Sequence, residues 1–263
     1  MPRTIVVTGG SSGIGSEIAS RFEERGETVV VIDRNQPSNG RDFVECDLSK
    51  PASIQAACEK LPEQIDVLVN AAGVSGLAPI ETVMRVNFYG LRSLTERIAP
   101  RMSSGGCVVN VASTSAWFWR NHLDEIATVV NATSDSQIAS VCENDISDGH
   151  SAYERSKQSV LVWTTIAAQQ YLGRFRVNSV SPGPIETPLL ADFYEAMGHE
   201  ELDPLTARAG GRNGEPGEIA DVVLFLTSPQ SNWINGTDIP VDNSAEMSEF
   251  LASRDLIPPM EKK

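Results

Sequence analysis

Short runs of consecutive apolar, largely β-branched residues alternate along this chain with longer stretches whose apolar positions recur at helical spacing. The runs at 4–8, 28–32, 42–46, 66–69, 107–111, 176–180 and 237–241 predict seven strands. Between them, 14–25, 52–61, 81–98, 152–172 and 217–226 predict helices. Strands that are apolar along their whole length have both faces covered, the mark of a parallel sheet between helical layers. Right-handed crossovers wind such a sheet doubly and leave ligand sites just beyond the carboxyl ends of its strands. The expectation is an α/β chain, residues 1–263 forming one domain around a doubly wound parallel seven-stranded sheet.

Residues 120–149 break the rhythm, because a connection of that length rarely lacks structure of its own in a compact domain. Leu123, Ile126, Ala127 and Val130 recur at i, i+3, i+4 and i+7, and Ile138, Val141 and Cys142 repeat part of the pattern, so two short amphipathic helices are expected. Their outer face is one-signed: Asp124, Glu125, Asp135, Glu143, Asp145 and Asp148 occur between 121 and 149 with no Lys or Arg. The last twenty residues, with Pro258, Pro259, Lys262 and Lys263, read as a docked or fraying tail.

Composition narrows the function. With 263 residues, 41% apolar and 21% charged, the chain can bury a full core, which excludes disorder, a disulfide-stapled mini-protein, collagen and a coiled coil. Asp and Glu total 35 against 21 Lys and Arg, and the net charge of −14 repels phosphate backbones and anionic lipid, so neither nucleic acid nor membrane is expected as a partner. Cys46, Cys58, Cys107 and Cys142 form no C-x-x-C pair, and His122, His150 and His199 are far apart, so no metal site is expected. With no secretory segment and no run of ~18 apolar residues, the expected setting is cytoplasmic, with reduced thiols.

The first strand leads into Thr8-Gly9-Gly10-Ser11-Ser12-Gly13-Ile14-Gly15, a glycine-rich turn at a helix N-terminus, where free backbone N–H groups and the helix dipole favour a pyrophosphate. The spacing G-x-x-x-G-x-G differs from the commoner G-x-G-x-x-G, and alone it marks only a tight turn. Asp33, 18 positions after Gly15 at the end of the second strand, stands where an acid accepts adenosine ribose hydroxyls, and the pair points to NAD in a Rossmann-type domain.

Further along come Asn87 inside a helix, Ser113 just after a strand, and Tyr153 with Lys157 four residues later on one helix face. Singly, each has a plainer reading: a surface pair, a cap, a residue satisfying backbone groups at a bend. Together, with Asp47-Leu48, Asn70-Ala71-Ala72-Gly73, Asn178, Pro182-Gly183 and Thr187, the chain resembles the short-chain dehydrogenase/reductase family along essentially its whole length. The resemblance implies a cofactor site of Gly9, Ser11, Ser12, Gly13, Ile14, Gly15, Asp33 and Arg34, with Asp47 and Leu48 at the adenine. Asn70, Ala71, Ala72 and Gly73 would lie along the cofactor, beside Pro182 and Gly183, and Ile185 and Thr187 would face the nicotinamide amide. It implies Tyr153 as acid/base, Ser113 as hydrogen-bond partner of the reacting oxygen, Lys157 on the ribose and beside the tyrosine, and Asn87 as anchor of a water. Free tyrosine is only ~0.1% ionised near pH 7, so phenolate must be favoured by roughly 4 kcal/mol, which Lys157 and a positive nicotinamide ring would supply.

Three departures qualify the resemblance: the long 120–149 segment, Val241-Asp242-Asn243-Ser244 where a Gly pair is usual, and Arg34 after Asp33. The long segment resembles the subgroup of hydroxysteroid dehydrogenase/carbonyl reductases and coniferyl alcohol dehydrogenases. It is expected to form a helical lobe beside the active-site entrance that influences oligomeric packing and supplies no catalytic group. Substrate-lining candidates are Ser113, Ser115, Trp117, Phe118, Val74, Leu77, Pro184, Leu189, Leu190, Phe193 and Met197, mostly apolar, which favours a secondary alcohol or ketone on a bulky hydrophobic body over a sugar, a hydroxysteroid being the leading expectation and an aromatic alcohol the alternative. Two other classes stay open. A non-catalytic NAD(H) sensor would need only the cradle, and a structural oligomer would use Val160, Leu161, Trp163, Ile166, Ala167 and Leu172 as a pairing face. That face also suits an enzyme that forms a homodimer or homotetramer.

Overall fold

In β1 (Thr4–Thr8), Ile5, Val6 and Val7 are fully buried, Val6 in one core and its two neighbours in the other, as the alternation of a strand between two layers requires. The computed structural model describes residues 2–38 and 40–258. Its sheet holds β1, β2 (Thr28–Asp33), β3 (Phe43–Glu45), β4 (Ile65–Asn70), β5 (Met102–Val111), β6 (Phe175–Pro182) and β7 (Asp238–Val241) in the order β3-β2-β1-β4-β5-β6-β7. Every pairing is parallel; Val6, for example, stands opposite Val30 on one side and Leu68 on the other. The strand order reverses between β1 and β4, which opens a crevice at their carboxyl ends.

Helix α1 (Gly13–Glu24) and the later α10 (Pro216–Leu226) cover one face through Ile18, Phe22, Ile219 and Val223. On the other face lie α2 (Pro51–Lys60), α3 (Ile80–Met84), α4 (Leu91–Ile98) and α7 (Gly149–Gln170), with Ile54, Leu94, Ile98, Val160 and Trp163 in the core. The helix expected over 81–98 is continuous but widens into a π-turn at Arg85–Gly90, and Asn87 sits inside it.

Between β5 and α7 the inserted segment forms α5 (Leu123–Asn131) and α6 (Asp135–Asn144), against α7 and α3 respectively. All six of its acids are exposed, but the apolar stripe is displaced: Ile126 and Val129 are buried, while Leu123 and Ala127 face outward. The displacement has a cause in the body. Arg92 of α4 is buried over the Phe88 and Tyr89 rings and donates to the carbonyls of Val130 (2.7 Å) and Ala132 (2.6 Å), fixing how the end of α5 faces the domain.

The pairing face expected on α7 is mostly interior. Val160, Leu161, Trp163 and Ala167 are buried within this chain, where α7 packs on β6, α3, α5 and the π-turn, leaving only Ile166 and Leu172 exposed. Three helices were not anticipated: α8 (Leu190–Met197), α9 (His199–Arg208) and α11 (Ala245–Ala252). The last lies in the expected tail and packs on α9, with Arg208 bonded to Glu249 (3.0 Å). Pro259, Lys262 and Lys263 lie outside the described residues. At the turn before α11, Asn243 and Ser244 keep positive φ (50° and 67°) without glycine; the Asp242 carboxylate holds them by accepting from Ser244 N (3.0 Å) and Glu246 N (2.9 Å).

Candidate active site

A cavity of about 890 Å³ runs along the carboxyl ends of the strands, from Asp33 to α8 and α11. Its first end is built on close backbone approach. A side chain on Gly15 would begin 2.3 Å from the Gly9 carbonyl oxygen, and one on Gly9, at φ 69°, would begin 2.7 Å from the Ala72 backbone. Thr8 Oγ1 fixes the neighbouring turn by accepting from Ala71 N and Ala72 N, both at 3.1 Å. Ser12 supplies no side-chain cap to α1, so the first-turn N–H groups face the cavity beside Gly13, Ile14 and Gly15. The Asp33 carboxylate is held by two backbone donors, Ser11 N at 3.1 Å and Asn35 N at 2.9 Å. Arg34, Asp47, Leu48, Ala71, Ala72, Gly73, Pro182, Gly183, Ile185 and Thr187 complete this part of the wall. A tight glycine cradle at an uncapped helix end and a fixed carboxylate at the second strand form a donor and acceptor set that fits a dinucleotide.

Two of the expected cofactor residues are not on that wall. Ser11 acts through its N–H on Asp33. Asn70 is fully interior, its Nδ2 bonded to Thr95 Oγ1 (3.0 Å) and Asn110 Oδ1 (2.9 Å), so it ties β4 to α4 and β5.

At the centre of the cavity Ser113, Tyr153 and Lys157 converge. The ammonium of Lys157 lies 5.7 Å from the Tyr153 ring centroid and donates to the Val111 carbonyl at 2.9 Å. Burial pushes the Tyr153 phenol up to about 12, against the hydrogen bond from Ser113, and pushes Lys157 down to about 8. The protein alone therefore opposes ionisation of the tyrosine: stabilising phenolate at pH 7 from a pKa near 12 takes roughly 7 kcal/mol, not the 4 expected for a free tyrosine. Asn87 does not reach the cavity. Its amide is spent on both backbone groups of Val74 (Oδ1 from N, 2.9 Å; Nδ2 to O, 3.0 Å) and on Ser156 Oγ (3.3 Å). A side chain on Gly73 would begin 3.4 Å from Asn87 Oδ1 and 3.7 Å from Lys157 Nζ, so Asn87 shapes the floor under the lysine.

The far end is closed by α8, whose Phe193 meets Tyr153 edge-on at 5.0 Å between centroids and whose Asp192 accepts from Ser75 Oγ (3.3 Å). Ser115, Phe118, Val74, Leu77, Pro184, Leu189, Leu190 and Met197 line this end as expected; Trp117 does not, because its short 3₁₀ turn aims it away from the cavity. Sequence reasoning missed the carboxylates of Glu154, Glu201, Glu246 and Glu249, which join the wall from α7, α9 and α11. Glu246 is driven up to about 7 by burial and by Asp242, Glu201, Glu154 and Glu249. Only the crossing of three helices distant in sequence assembles this cluster, so no local pattern announces it.

The family model described as enoyl-(acyl carrier protein) reductase matches residues 9–243. The chain belongs to the short-chain dehydrogenase/reductase family. It is an oxidoreductase of that family acting on alcohols, and three relatives bracket it. It is 40% identical over 246 residues to coniferyl-alcohol dehydrogenase of Pseudomonas sp. (strain HR199 / DSM 7063), covering 91% of this chain and 95% of that one. It is 28% identical to the 3-alpha-hydroxysteroid dehydrogenase/carbonyl reductase of Comamonas testosteroni, over 92% and 96%. The structure of the 3-alpha-hydroxysteroid dehydrogenase from Pseudomonas sp. B-0831 complexed with NADH superposes with a TM-score of 0.80 at 30% identity, covering 94% of this chain and 98% of that one. Among the described residues no helix is long and apolar enough to cross a membrane.

Proposed function

We propose that this enzyme interconverts an alcohol and its carbonyl compound on a bulky hydrophobic body, using NAD(H). The observation that carries the reading is the placement of Ser113, Tyr153 and Lys157 on one wall, between a dinucleotide cradle and an apolar slot. In oxidation, ionised Tyr153 takes the hydroxyl proton of the substrate, and Ser113 donates to the same oxygen as charge develops there. NAD, when bound, supplies the hydride acceptor and a positive ring that favours the phenolate. Lys157, with Val111 as one fixed acceptor, keeps ammonium protons free for the ribose hydroxyls and adds its charge beside the phenol. In reduction the same phenol returns the proton. Asp33 binds the adenosine ribose and the first turn of α1 binds the pyrophosphate.

Steroid and aromatic alcohols both suit the slot. The relation to coniferyl-alcohol dehydrogenase and the two aromatic edges, Phe118 and Phe193, favour an aromatic alcohol; the TM-score of 0.80 to a hydroxysteroid dehydrogenase supports a secondary alcohol on a fused-ring body as the second reading. Nicotinamide absorbance measured across steroid, aromatic and aliphatic alcohols separates them, and turnover restricted to short aliphatic alcohols or sugars overturns both. Association into a homodimer or homotetramer belongs to the same reading: Trp233, fully exposed, with Phe225, Ile166 and Leu172, offers apolar surface for it to cover.

A further inference from the structure

Ser115, which lines the substrate end, has its hydrogen-bond donors turned away from substrate. Its backbone N–H donates to Ser113 Oγ at 3.2 Å, and its own hydroxyl donates to the same oxygen at 3.0 Å. A serine hydroxyl has two acceptor sites and one donor. With both acceptor sites engaged by one neighbour, Ser113 has only its proton left to offer, and the acceptor beside it on the cavity wall is the Tyr153 phenol, whose ionisation Ser113 favours. The two hydroxyls thus form a chain of one polarity, Ser115 to Ser113 to Tyr153, in which each bond strengthens the next and the last favours negative charge on the phenol oxygen. The bond follows from local folding: Ser113 caps the 3₁₀ turn Thr114–Ala116, and that turn carries Ser115 back over it.

We propose that Ser115 is a positioning residue that locks Ser113 as a donor, toward Tyr153 before substrate binds and toward the reacting oxygen once substrate lies between them. This rests on the function proposed above. Neither proton of Ser115 reaches the substrate; its effect passes through the orientation and acidity of the Ser113 hydroxyl. In oxidation the phenolate form is the active one, so losing the Ser115 hydroxyl moves the midpoint of the rising limb of kcat/KM to higher pH and lowers kcat at neutral pH. Because the backbone N–H remains, the loss is partial.

The test compares the parent with Ser115→Ala and Ser115→Thr, reading kcat, KM, the pH profile and NAD affinity by fluorescence. The phenolate absorbance of Tyr153 in the NAD complex, as a difference against Tyr153→Phe, supplies a readout that needs no turnover. Ser115→Ala is expected to raise the phenolate midpoint by roughly half a pH unit and so to lower kcat at neutral pH about threefold. KM and NAD affinity stay within twofold, and Ser115→Thr restores the parent values. If the alanine chain does not fold, Ser115→Cys, with its weaker donor, must show a smaller shift of the same sign. An unchanged midpoint overturns the inference, as does an effect confined to KM, which would make Ser115 a substrate contact. Absence of turnover on every alcohol would overturn the proposed function alone, since the phenolate titration still decides the role of Ser115.

Discussion

Asp33 should make the enzyme reject NADP(H). Its carboxylate is clamped from two sides, by Ser11 N at 3.1 Å and Asn35 N at 2.9 Å, so it cannot swing away from an incoming 2′-phosphate without leaving two N–H groups unpaired. Like charges held ~4 Å apart repel by about 4 kcal/mol at an effective dielectric of 20, and Arg34 and solvent return roughly half of that. The remainder corresponds to a preference for NAD of about 30-fold, rising toward 1000-fold where Arg34 contributes little. The assay is kcat/KM for NAD and NADP with one alcohol at fixed ionic strength. Asp33→Asn keeps one acceptor oxygen in the clamp and removes the charge, so it should erase most of the preference with little loss of NAD efficiency. Asp33→Ser removes the charge and the clamp together, narrowing the gap while also weakening NAD. Equal efficiency of the parent with both cofactors would refute the electrostatic reasoning, and an unchanged ratio in Asp33→Asn would move the discrimination elsewhere.

Tyr153→Phe should cut kcat by roughly 10³ while leaving NAD affinity within a fewfold, whereas Lys157→Ala should weaken both; stopped-flow hydride transfer and cofactor fluorescence tell them apart. Arg92→Leu strips the buried donor from the Val130 and Ala132 carbonyls and should cost about 2–4 kcal/mol in urea unfolding, with α5 losing amide protection first; a cost below ~0.5 kcal/mol would show that the insertion docks without it. Glu246 titrates near 7 in the folded chain, above its unfolded value. Its protonated form therefore stabilises the fold fully below pH ~4.5, and that contribution is lost as pH rises through 7. Glu246→Gln should accordingly raise Tm at pH 8 and leave it unchanged at pH 4.5, and a gain of equal size at both would show that charge is not the cause.

What the sequence shows and what it hides separate by the range of the interaction that fixes each feature. The five inner strands are legible because a buried parallel strand must be apolar on both faces, and Ile5, Val6 and Val7 declare it within three residues. The cradle is equally local, since Gly9, Gly13 and Gly15 are dictated by backbone approach inside one turn, and Tyr153 and Lys157 share a helix face by spacing alone. Legibility fails where a side chain's partner is remote. Asn87 and Asn70 carry the right types at the right positions, yet their amides are consumed by Val74, Ser156, Thr95 and Asn110, partners set by how α4, α7 and β5 pack. The α7 face that reads as an interface is core for the same reason: a helical stripe records that something covers it, and Val160, Trp163 and Ala167 are covered by this chain's own sheet and helices, which no periodicity distinguishes from a second copy. The acidic wall is the extreme case. Glu154, Glu201 and Glu246 belong to three helices, each with its charge at an unremarkable position, and their mutual repulsion exists only once α9 and α11 close over the slot. That repulsion grows as the pH rises through the titration of Glu246, and it acts between the helices that wall the slot.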